Sequence, residues 1–315
     1  MTTKIFFTTD VHGSEKCFRK FLNAGKVYKA DVAILGGDFT GKSIIPIVEK
    51  SDGTFKASFA GEDFALRSRE DAKTLVSKIL DRGYYVYFTN DAELEEVNKN
   101  PQKKDDLFLR LMRETLERWI ALAEQHLANT GIRCYIMPGN DDNLDLDNAF
   151  KSGKFVVNPE GKVTQIDNHH EMISTGYSNI TPWNCPRDIP EEKLAEKIDA
   201  MAAQVENMKN CIFNFHCPPY DSGLDTAPKL VDLKPVVSGG EFVTEPVGSK
   251  AVRNTIKKYQ PLLGLHGHIH ESRGSTRIGR TLCLNAGSEY TTGVLRGVFV
   301  NLSKDEIKGY MFTAG

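Results

Sequence analysis

Short apolar runs recur along the chain, and six of them end in small or polar residues that include an acid, an amide or a histidine. The runs and the residues that follow them are 4–9 before 10–13, 32–35 before 36–38, 134–136 before 139–141, 212–215 before 216–219, 262–265 before 266–270 and 281–284 before 285–288. Near-continuous apolar strands that alternate with helical segments predict an α/β protein whose sheet is covered on both faces. Because polar residues just past such strand ends converge on one crevice, the six ends predict a single site.

Residues 41–131, between the second and third of these strands, carry no obvious ligand set. Their pattern predicts a hairpin over 44–59, a helix over 67–82, a strand over 84–88, a polar loop over 98–106 and an amphipathic helix over 107–130. We interpret 41–131 as an inserted cap or packing region within a single domain that spans 1–315. Farther along, the pattern predicts a helix over 191–207 and an antiparallel hairpin over 294–313.

Composition indicates an ordinary globular protein. Forty basic and 42 acidic residues give a formal charge of −2, so no global field favours nucleic acid or an anionic membrane as a partner. The sequence shows neither a signal peptide nor an apolar run of the ~20 residues that a membrane span needs, which predicts a cytoplasmic protein. The six cysteines lack Cys-x-x-Cys spacing and are predicted to be buried, reduced thiols. These features leave the oligomeric state open.

Seven candidate metal ligands lie at the strand ends. They are two carboxylates, one amide and four histidines: Asp10, His12, Asp38, Asn140, His216, His268 and His270. The spacing in Asp10-x-His12 and in His268-x-His270 puts both side chains of each pair on the same side of an extended chain. Mixed nitrogen and oxygen ligands suit Zn, Mn, Fe or Ni ions. Taken alone, the stretch 137–143, Met-Pro-Gly-Asn-Asp-Asp-Asn, is more typical of a turn with a solvated tip than of a metal site.

The pattern of these residues resembles that of the calcineurin-like metallophosphoesterases. Five motifs of that family are matched in order, by Asp10-Val11-His12, Gly37-Asp38, Gly139-Asn140-Asp141, His216 and Gly267-His268-Ile269-His270. The resemblance is to the phosphodiesterase-like branch. Protein Ser/Thr phosphatases carry an Asp-Arg-Gly sequence shortly after the second motif, whereas in this chain Asp38 is followed by Phe39-Thr40-Gly41-Lys42.

The resemblance implies a four-layered αββα sandwich that holds two divalent metal ions at its strand ends. One ion would be held by Asp10, His12, Asp38 and His270, and the other by Asp38, Asn140, His216 and His268. Asp38 would therefore be shared by the two ions. The implied reaction is hydrolysis of a small phosphorylated substrate, a phosphodiester or a phosphomonoester, by a hydroxide that bridges the ions.

One residue departs from the family pattern. The family usually has a histidine directly after the asparagine, where it helps to stabilise the phosphoryl charge and to protonate the leaving group, but this chain has Asp141. An ordinary aspartate is ionised at neutral pH and is a poor proton donor. Asp141 as the catalytic residue therefore predicts substrates with good leaving groups, unless another residue donates the proton. His169 and His170 are candidates for that role, although their sequence favours a polar turn between two strands.

The candidate substrate contacts are Asn140, Arg187 and Tyr220. Arg187 lies close after Trp183, and an aromatic ring with a guanidinium can stack a base and hold a phosphate, although loop packing is an equal alternative. Two rival functions remain. A metal-binding scaffold of the same fold that has lost turnover is supported by Asp141 alone, and a metal-dependent amidohydrolase fits poorly because the first strand ends in Asp-x-His instead of His-x-His.

Overall fold

The apolar runs form the strands of two large sheets. The structure is a computed structural model that describes residues 2–315. The first part of the chain contains, in order, β1 (Thr3–Thr8), α1 (Glu15–Val27), β2 (Val32–Gly36), β3 (Ile44–Glu49), β4 (Phe55–Phe59), β5 (Glu62–Leu66), α2 (Arg69–Asp81), β6 (Tyr85–Asn90), α3 (Asp91–Lys99), α4 (Pro101–Leu127) and β7 (Arg133–Met137).

The second part of the chain completes both sheets. It contains β8 (Val156–Val157), β9 (Val163–Gln165), β10 (Glu171–Thr175), α5 (Glu191–Ala202), β11 (Ile212–Phe215), β12 (Thr226–Pro228), β13 (Leu230–Val231), β14 (Lys234–Pro235), β15 (Val237–Ser238), β16 (Glu241–Phe242), β17 (Thr244–Pro246), α6 (Lys250–Tyr259), β18 (Leu263–His266), β19 (Gly274–Ile278), β20 (Thr281–Asn285), β21 (Arg296–Leu302) and β22 (Ile307–Ala314). Short 3₁₀ helices cover Leu144–Ser152, Met208–Asn210 and Tyr290–Thr292.

Each large sheet has six strands. The order is β22-β21-β1-β2-β7-β8 in the first sheet and β19-β20-β18-β11-β10-β9 in the second. Strands β1, β2 and β7 run parallel in the first sheet, and β10, β11, β18 and β20 run parallel in the second. The carboxyl ends of the six predicted strands therefore lie along one edge of each sheet, as the α/β pattern requires.

Alternate side chains of the strands enter different hydrophobic clusters. Ile5 and Phe7 of β1 belong to a cluster that also contains Leu263 and Leu265 of the second sheet. Phe6, between them, belongs to a cluster that contains side chains of α1 and α4. A third cluster joins β11 to α5 and α6. Because these strands are buried on both faces, they read as continuous apolar runs and not as alternating ones.

The segment 41–131 forms a four-stranded sheet of its own, in the order β5-β4-β3-β6. The predicted hairpin is confirmed as β3 and β4, and β5 is an additional strand. The polar loop predicted over 98–106 is wrong. The Asn100 side chain caps α4 and Pro101 occupies its first turn, so that two helices meet there. Among the described residues, no helix is long and apolar enough to cross a membrane.

The helix predicted over 191–207 ends earlier, at Ala202, and the C-terminal hairpin is confirmed as β21 and β22. All six cysteines are free thiols, which agrees with the prediction that they are reduced. Five are buried and Cys185 is half-buried. The division of the chain into one domain with an inserted region stays a prediction.

A buried carboxylate joins α1 to α4. Glu15 accepts hydrogen bonds from the Trp119 indole (2.7 Å) and from Arg118 (2.7 Å). The Trp119 ring stacks on Phe18 with 4.1 Å between ring centroids. Burial alone would raise the pKa of Glu15, but the hydrogen bonds from Trp119 and Arg118 outweigh it and lower that pKa. The ionised carboxylate therefore stabilises the helix pair.

We expect Glu15→Ala to lower the free energy of unfolding by about 2 kcal/mol at neutral pH, because it leaves the buried Trp119 N–H without an acceptor. The exposed Glu95, which pairs with Lys99 one turn along α3, provides the control, and Glu95→Ala should cost at most about 0.5 kcal/mol. Since the folded-state pKa of Glu15 is lowered, its contribution is present above the unfolded-state pKa and is lost as pH falls through the folded-state pKa. Urea unfolding at pH 7 and near pH 4 would contradict this account if the difference between wild type and Glu15→Ala grew at the lower pH.

Candidate metal centre

The seven predicted ligands come together where the two sheets meet at their carboxyl ends. Three groups of possible ligand atoms have all members within 4.8 Å of one another, and one of them, His12 with Asp38 and Asp141, overlaps the other two. The first consists of Asp10, His12 and His270, and the second of Asp38, His216 and His268. Asp10, His12, Asp38, Asn140 and His216 are buried, whereas His268 and His270 are half-buried. The expectation of one crevice shared by separate strand ends is therefore met.

Asp38 lies between the two groups. One of its carboxylate oxygens is 3.4 Å from His216 Nε2, and the other is 3.7 Å from His12 Nε2. In the first group, His12 Nε2 is 3.1 Å from His270 Nε2, which lies 3.3 Å from Asp10 Oδ1. Ring nitrogens and carboxylate oxygens that converge at such distances can share a cation.

The backbone adopts strained conformations at four of these residues. Asp10, His12, Asp38 and His268 have φ angles of 52°, 39°, 50° and 66°, in the left-handed region that is costly for residues with a Cβ. Neighbouring loops hold this geometry, since Asp10 N–H donates to the Gly37 carbonyl and His12 N–H to the Asp38 carbonyl, both at 2.9 Å. Four of the twelve described non-glycine residues with positive φ are therefore candidate ligands.

Three of the buried ligands, Asp10, Asn140 and His216, have one side anchored by hydrogen bonds and one side free. Asp10 Oδ2 accepts from the Thr9 hydroxyl (2.7 Å) and from His268 N–H (3.0 Å). His216 Nδ1 lies 2.9 Å from the Gly36 carbonyl, to which it donates, so the lone pair of this imidazole is on Nε2. Asn140 Nδ2 donates to Asp188 (3.0 Å), a residue that the sequence did not single out.

The atoms on the free side lack protein partners. Among the described residues, nine buried polar side-chain atoms have no hydrogen-bond partner, and four of them belong to the candidate ligands: Asp10 Oδ1, His12 Nδ1, Asn140 Oδ1 and His216 Nε2. Buried polar atoms without partners are costly and rare in folded proteins. Three of these four atoms belong to residues that are otherwise anchored by hydrogen bonds, so the donor set fits metal ions of the N/O-binding kind.

Electrostatics fit the same conclusion. Burial lowers the pKa of His12 and of His268, each to about 4, which keeps both imidazoles neutral as ligands must be. Burial also opposes charge on His216, but Asp38 and Asp10 outweigh it and raise the pKa of His216 to about 10. The two carboxylates therefore favour a compensating positive charge beside His216 Nε2. A divalent cation would supply the same compensation more fully.

Two glycines of the motifs are required by close approach. A Cβ on Gly139 would lie 2.1 Å from Asp38 Oδ1, and a Cβ on Gly267 would lie 2.4 Å from Asp10 Oδ2. Any side chain at these positions would displace a ligand carboxylate. Sequence reasoning used the glycines only as parts of motifs, and the structure supplies their physical reason.

The three consecutive polar residues 140–142 do different work. Asn140 turns toward the ligand set, and Asp141 forms an ion pair with Lys42 (2.8 Å). Asp142 is buried and accepts from Thr40 N–H (2.9 Å), the Thr40 hydroxyl (2.6 Å), Gly139 N–H (2.7 Å) and Phe39 N–H (3.2 Å). Asp142 therefore ties the loop after β2 to the loop after β7, a role that the turn-like sequence did not predict.

Of the predicted substrate contacts, Arg187 needs correction. It is 1% exposed, and its guanidinium donates to Asp147 (2.7 Å) and to the Asp142 carbonyl (3.0 Å). A guanidinium that is already paired and buried does not face a ligand, so loop packing is the correct alternative. Tyr220 and the exposed Trp183 line a cavity beside the ligand set. His170 pairs with Asp167 (2.7 Å) in the predicted turn.

The cavity has a volume of about 840 Å³ and two kinds of wall. Asp38, Asn140, Asp141, His268 and His270 form the polar wall, together with Lys42, which sequence reasoning missed. Apolar side chains from separate segments form the apolar wall: Phe108, Met112, Ile180, Trp183, Pro228, Leu230, Pro246 and Val247. Since Phe108 and Met112 belong to α4, the segment 41–131 contributes to the cavity.

Comparison with known proteins supports the fold. No protein-family model matches the sequence. The chain is 33% identical to the uncharacterized protein MJ1162 of Methanocaldococcus jannaschii over 151 aligned residues. The alignment covers 47% of this chain and 61% of MJ1162. The structure is similar to TT1561 of Thermus thermophilus, with 14% identity, a TM-score of 0.54 and coverage of 100% of this chain and 99% of that one.

A structure described as a novel archaeal phosphodiesterase aligns with 99% of this chain and 100% of its own, at 10% identity and a TM-score of 0.39. The α/β fold predicted from the apolar runs is confirmed, and buried His and Asp clusters lie at its strand ends.

We expect His268→Ala to reduce the Mn²⁺ that remains bound after dialysis, because the second ligand group loses one of its nitrogen donors. The exposed His169 lies in a turn, and His169→Ala should retain the wild-type metal content. Elemental analysis of protein loaded with excess Mn²⁺ would make the comparison. Equal content in all three proteins would refute the assignment of this imidazole as a ligand.

We expect Asp142→Ala to lower the free energy of unfolding by roughly 3 kcal/mol, since it leaves four donors without their acceptor. Because the loops that carry Asp38 and Asn140 would separate, metal affinity should also fall by about 10- to 100-fold. The exposed Asp145 serves as control, and Asp145→Ala should change neither quantity. Calorimetric Mn²⁺ titration of both variants tests the idea, which fails if Asp142→Ala loses stability but keeps full metal affinity.

Proposed function

We propose that this chain is a calcineurin-like metallophosphoesterase that hydrolyses a small phosphodiester or phosphomonoester with two divalent metal ions. The observation that carries the proposal is the convergence of seven N/O donors, several with buried atoms that lack partners, beside a cavity of about 840 Å³. When bound, two such ions would acidify a shared water and neutralise charge on phosphoryl oxygens.

The chain's own residues would divide the work. Asp10, His12 and His270 would hold one ion, and Asn140, His216 and His268 the other. Asp38 would serve both, which its position between His12 and His216 supports. The amide of Asn140, fixed by Asp188, would keep its oxygen turned toward the site. The strained backbone would orient these ligands before substrate arrives, so that little reorganisation is needed during reaction.

The architecture we propose is the four-layered αββα sandwich within one domain that spans 1–315. The three clusters support it, because one contains side chains of both sheets and the other two each join a sheet to a helix pair. Within that domain, 41–131 would act both as a packing region, through α4, and as part of the cavity wall. The apolar wall suits a substrate whose phosphate carries an organic group.

We expect protein loaded with Mn²⁺ to hydrolyse bis(4-nitrophenyl) phosphate or 4-nitrophenyl phosphate, and Asp38→Asn to lower kcat/KM by at least about 10²-fold. Asparagine keeps the shape of the side chain but removes the charge that both ligand groups share. Asp105, exposed on α4, is the matched control, and Asp105→Asn should react at the wild-type rate.

Two results would contradict the proposal. If the wild type binds metal yet turns over neither ester faster than Asp38→Asn, the chain is a metal-binding scaffold of the same fold. If it hydrolyses a 4-nitroanilide amide and neither phosphoester, the amidohydrolase alternative is correct.

A further inference from the structure

A lysine that sequence reasoning overlooked stands at the polar wall of the cavity. Lys42 lines the cavity with Asp38, Asn140, Asp141 and His270, and its Nζ is 2.8 Å from Asp141 Oδ2. Its side chain is 52% exposed, whereas that of Asp141 is 25% exposed. The Lys42 ammonium is therefore held by the Asp141 carboxylate and remains accessible from the cavity.

The backbone that directly precedes Lys42 is held by hydrogen bonds. Thr40 is bound by Asp142, as described above, and Gly41 N–H donates to the hydroxyl of Tyr85 in β6 (2.8 Å). A Cβ on Gly41 would lie 2.3 Å from the Gly83 carbonyl, so the chain is packed tightly there. Lys42 thus lies where the loop after β2 meets the four-stranded sheet, and its position is set by the fold.

Asp141 brings this ammonium close to the candidate metal centre. The Asp141 N–H donates to Asp38 Oδ1 (3.1 Å), and its carboxylate lies within 4.8 Å of ligand atoms of His12 and Asp38. The other carboxylate oxygen accepts from the Cys185 thiol (2.9 Å). The Lys42 ammonium is therefore about one carboxylate group away from the ligand set, within reach of a phosphate bound there.

We propose that Lys42, positioned by Asp141, binds a non-bridging phosphoryl oxygen of the substrate and stabilises its negative charge. This inference rests on the proposed function and deepens it, because it assigns the positive charge that the resemblance led us to expect directly after Asn140. An ammonium has three N–H donors and Asp141 accepts from one of them, so donors remain for a phosphate. Lysine binds phosphate as a point charge and needs no planar partner.

The chemistry of lysine favours charge stabilisation over proton donation. With an ordinary pKa near ~10.4 an ammonium stays charged at neutral pH, far from the value at which general acids work best. Asp141 then acts as a positioning residue, since its carboxylate orients the ammonium and need not give a proton to the leaving group. Because neither Lys42 nor Asp141 gives a proton to the leaving group, we expect the reaction to depend on substrates with good leaving groups.

The test uses Lys42→Met, Lys42→Arg, Asp141→Asn and the double variant Lys42→Met/Asp141→Asn, each loaded with Mn²⁺. Lys50, which pairs with Asp91 in the same segment but outside the residues that line the cavity, gives the matched control Lys50→Met. Three quantities are measured: affinity for inorganic phosphate by calorimetry, kcat/KM for aryl phosphodiesters with leaving groups of increasing pKa, and metal content.

We expect Lys42→Met to weaken phosphate binding about tenfold and to lower kcat/KM by about 10²- to 10³-fold, the usual loss for one donor to a developing oxyanion. The loss should be the same for every leaving group, metal content should be unchanged, and Lys42→Arg should restore much of the activity. Asp141→Asn should cost less, and the double variant should be no worse than Lys42→Met alone, because Asp141 acts through Lys42.

Other outcomes separate this inference from the proposed function. Turnover and phosphate affinity that are both insensitive to Lys42→Met would overturn the inference and leave the function standing. Phosphate binding that depends on Lys42 without turnover would uphold the inference and overturn the function. A loss that grows with leaving-group pKa would make Lys42 a proton donor and overturn the assigned role. If Asp141→Asn alone loses metal, Asp141 is a metal ligand and its assigned positioning role is overturned. Absence of phosphate binding by the wild type would overturn the inference as a whole.

Discussion

The structure depends on one buried carboxylate that faces both sheets. Asp38 follows β2 of the first sheet, and its two oxygens point toward His12, from the first sheet, and His216, from the second. Burying a carboxylate is costly unless it is paired and hydrogen-bonded. The two sheets can therefore approach at this edge only if the groups around Asp38 offset its charge. The site and the packing of the sheets are two aspects of the same constraint.

This constraint explains why so much of the surrounding structure is fixed. Left-handed backbone at Asp10, His12 and Asp38 costs free energy that isolated loops would not tolerate. The loops are held by hydrogen bonds between them, and Asp142 gathers four donors from the two loops that carry Asp38 and Asn140. Asp142, which is not itself a candidate metal ligand, thus helps to set the geometry of the side chains that are.

The part of this arrangement that is local in sequence could be predicted. Continuous apolar runs indicated buried strands, and ligand-type residues after them indicated a shared edge, because both signals lie within a few residues of each other. Contacts between distant segments could not be predicted. Arg187 looked like a phosphate contact beside Trp183, and only the fold shows that Asp147 takes its guanidinium. Polar composition over 98–106 suggested a loop, but the Asn100 cap and Pro101 begin a helix there. Lys42 carried no signal, since Asp141, its partner, lies in another motif.

The position of Lys42 links the cavity to the inserted segment in a way that a histidine at 141 would not. A histidine directly after Asn140 would be held by the same loop as the ligand set. Lys42 instead precedes β3, and Gly41 before it donates a hydrogen bond to Tyr85 of β6, so the position of the ammonium depends on the four-stranded sheet. Asp141 then joins that sheet to the candidate metal centre through its ion pair with Lys42. A half-exposed ion pair is weak, so Asp141 alone does not fix the Lys42 ammonium. The position proposed for binding phosphate therefore also depends on how the four-stranded sheet and α4 pack against the larger sheets. The segment 41–131 therefore contributes apolar side chains of α4 to the cavity wall and also positions the Lys42 ammonium.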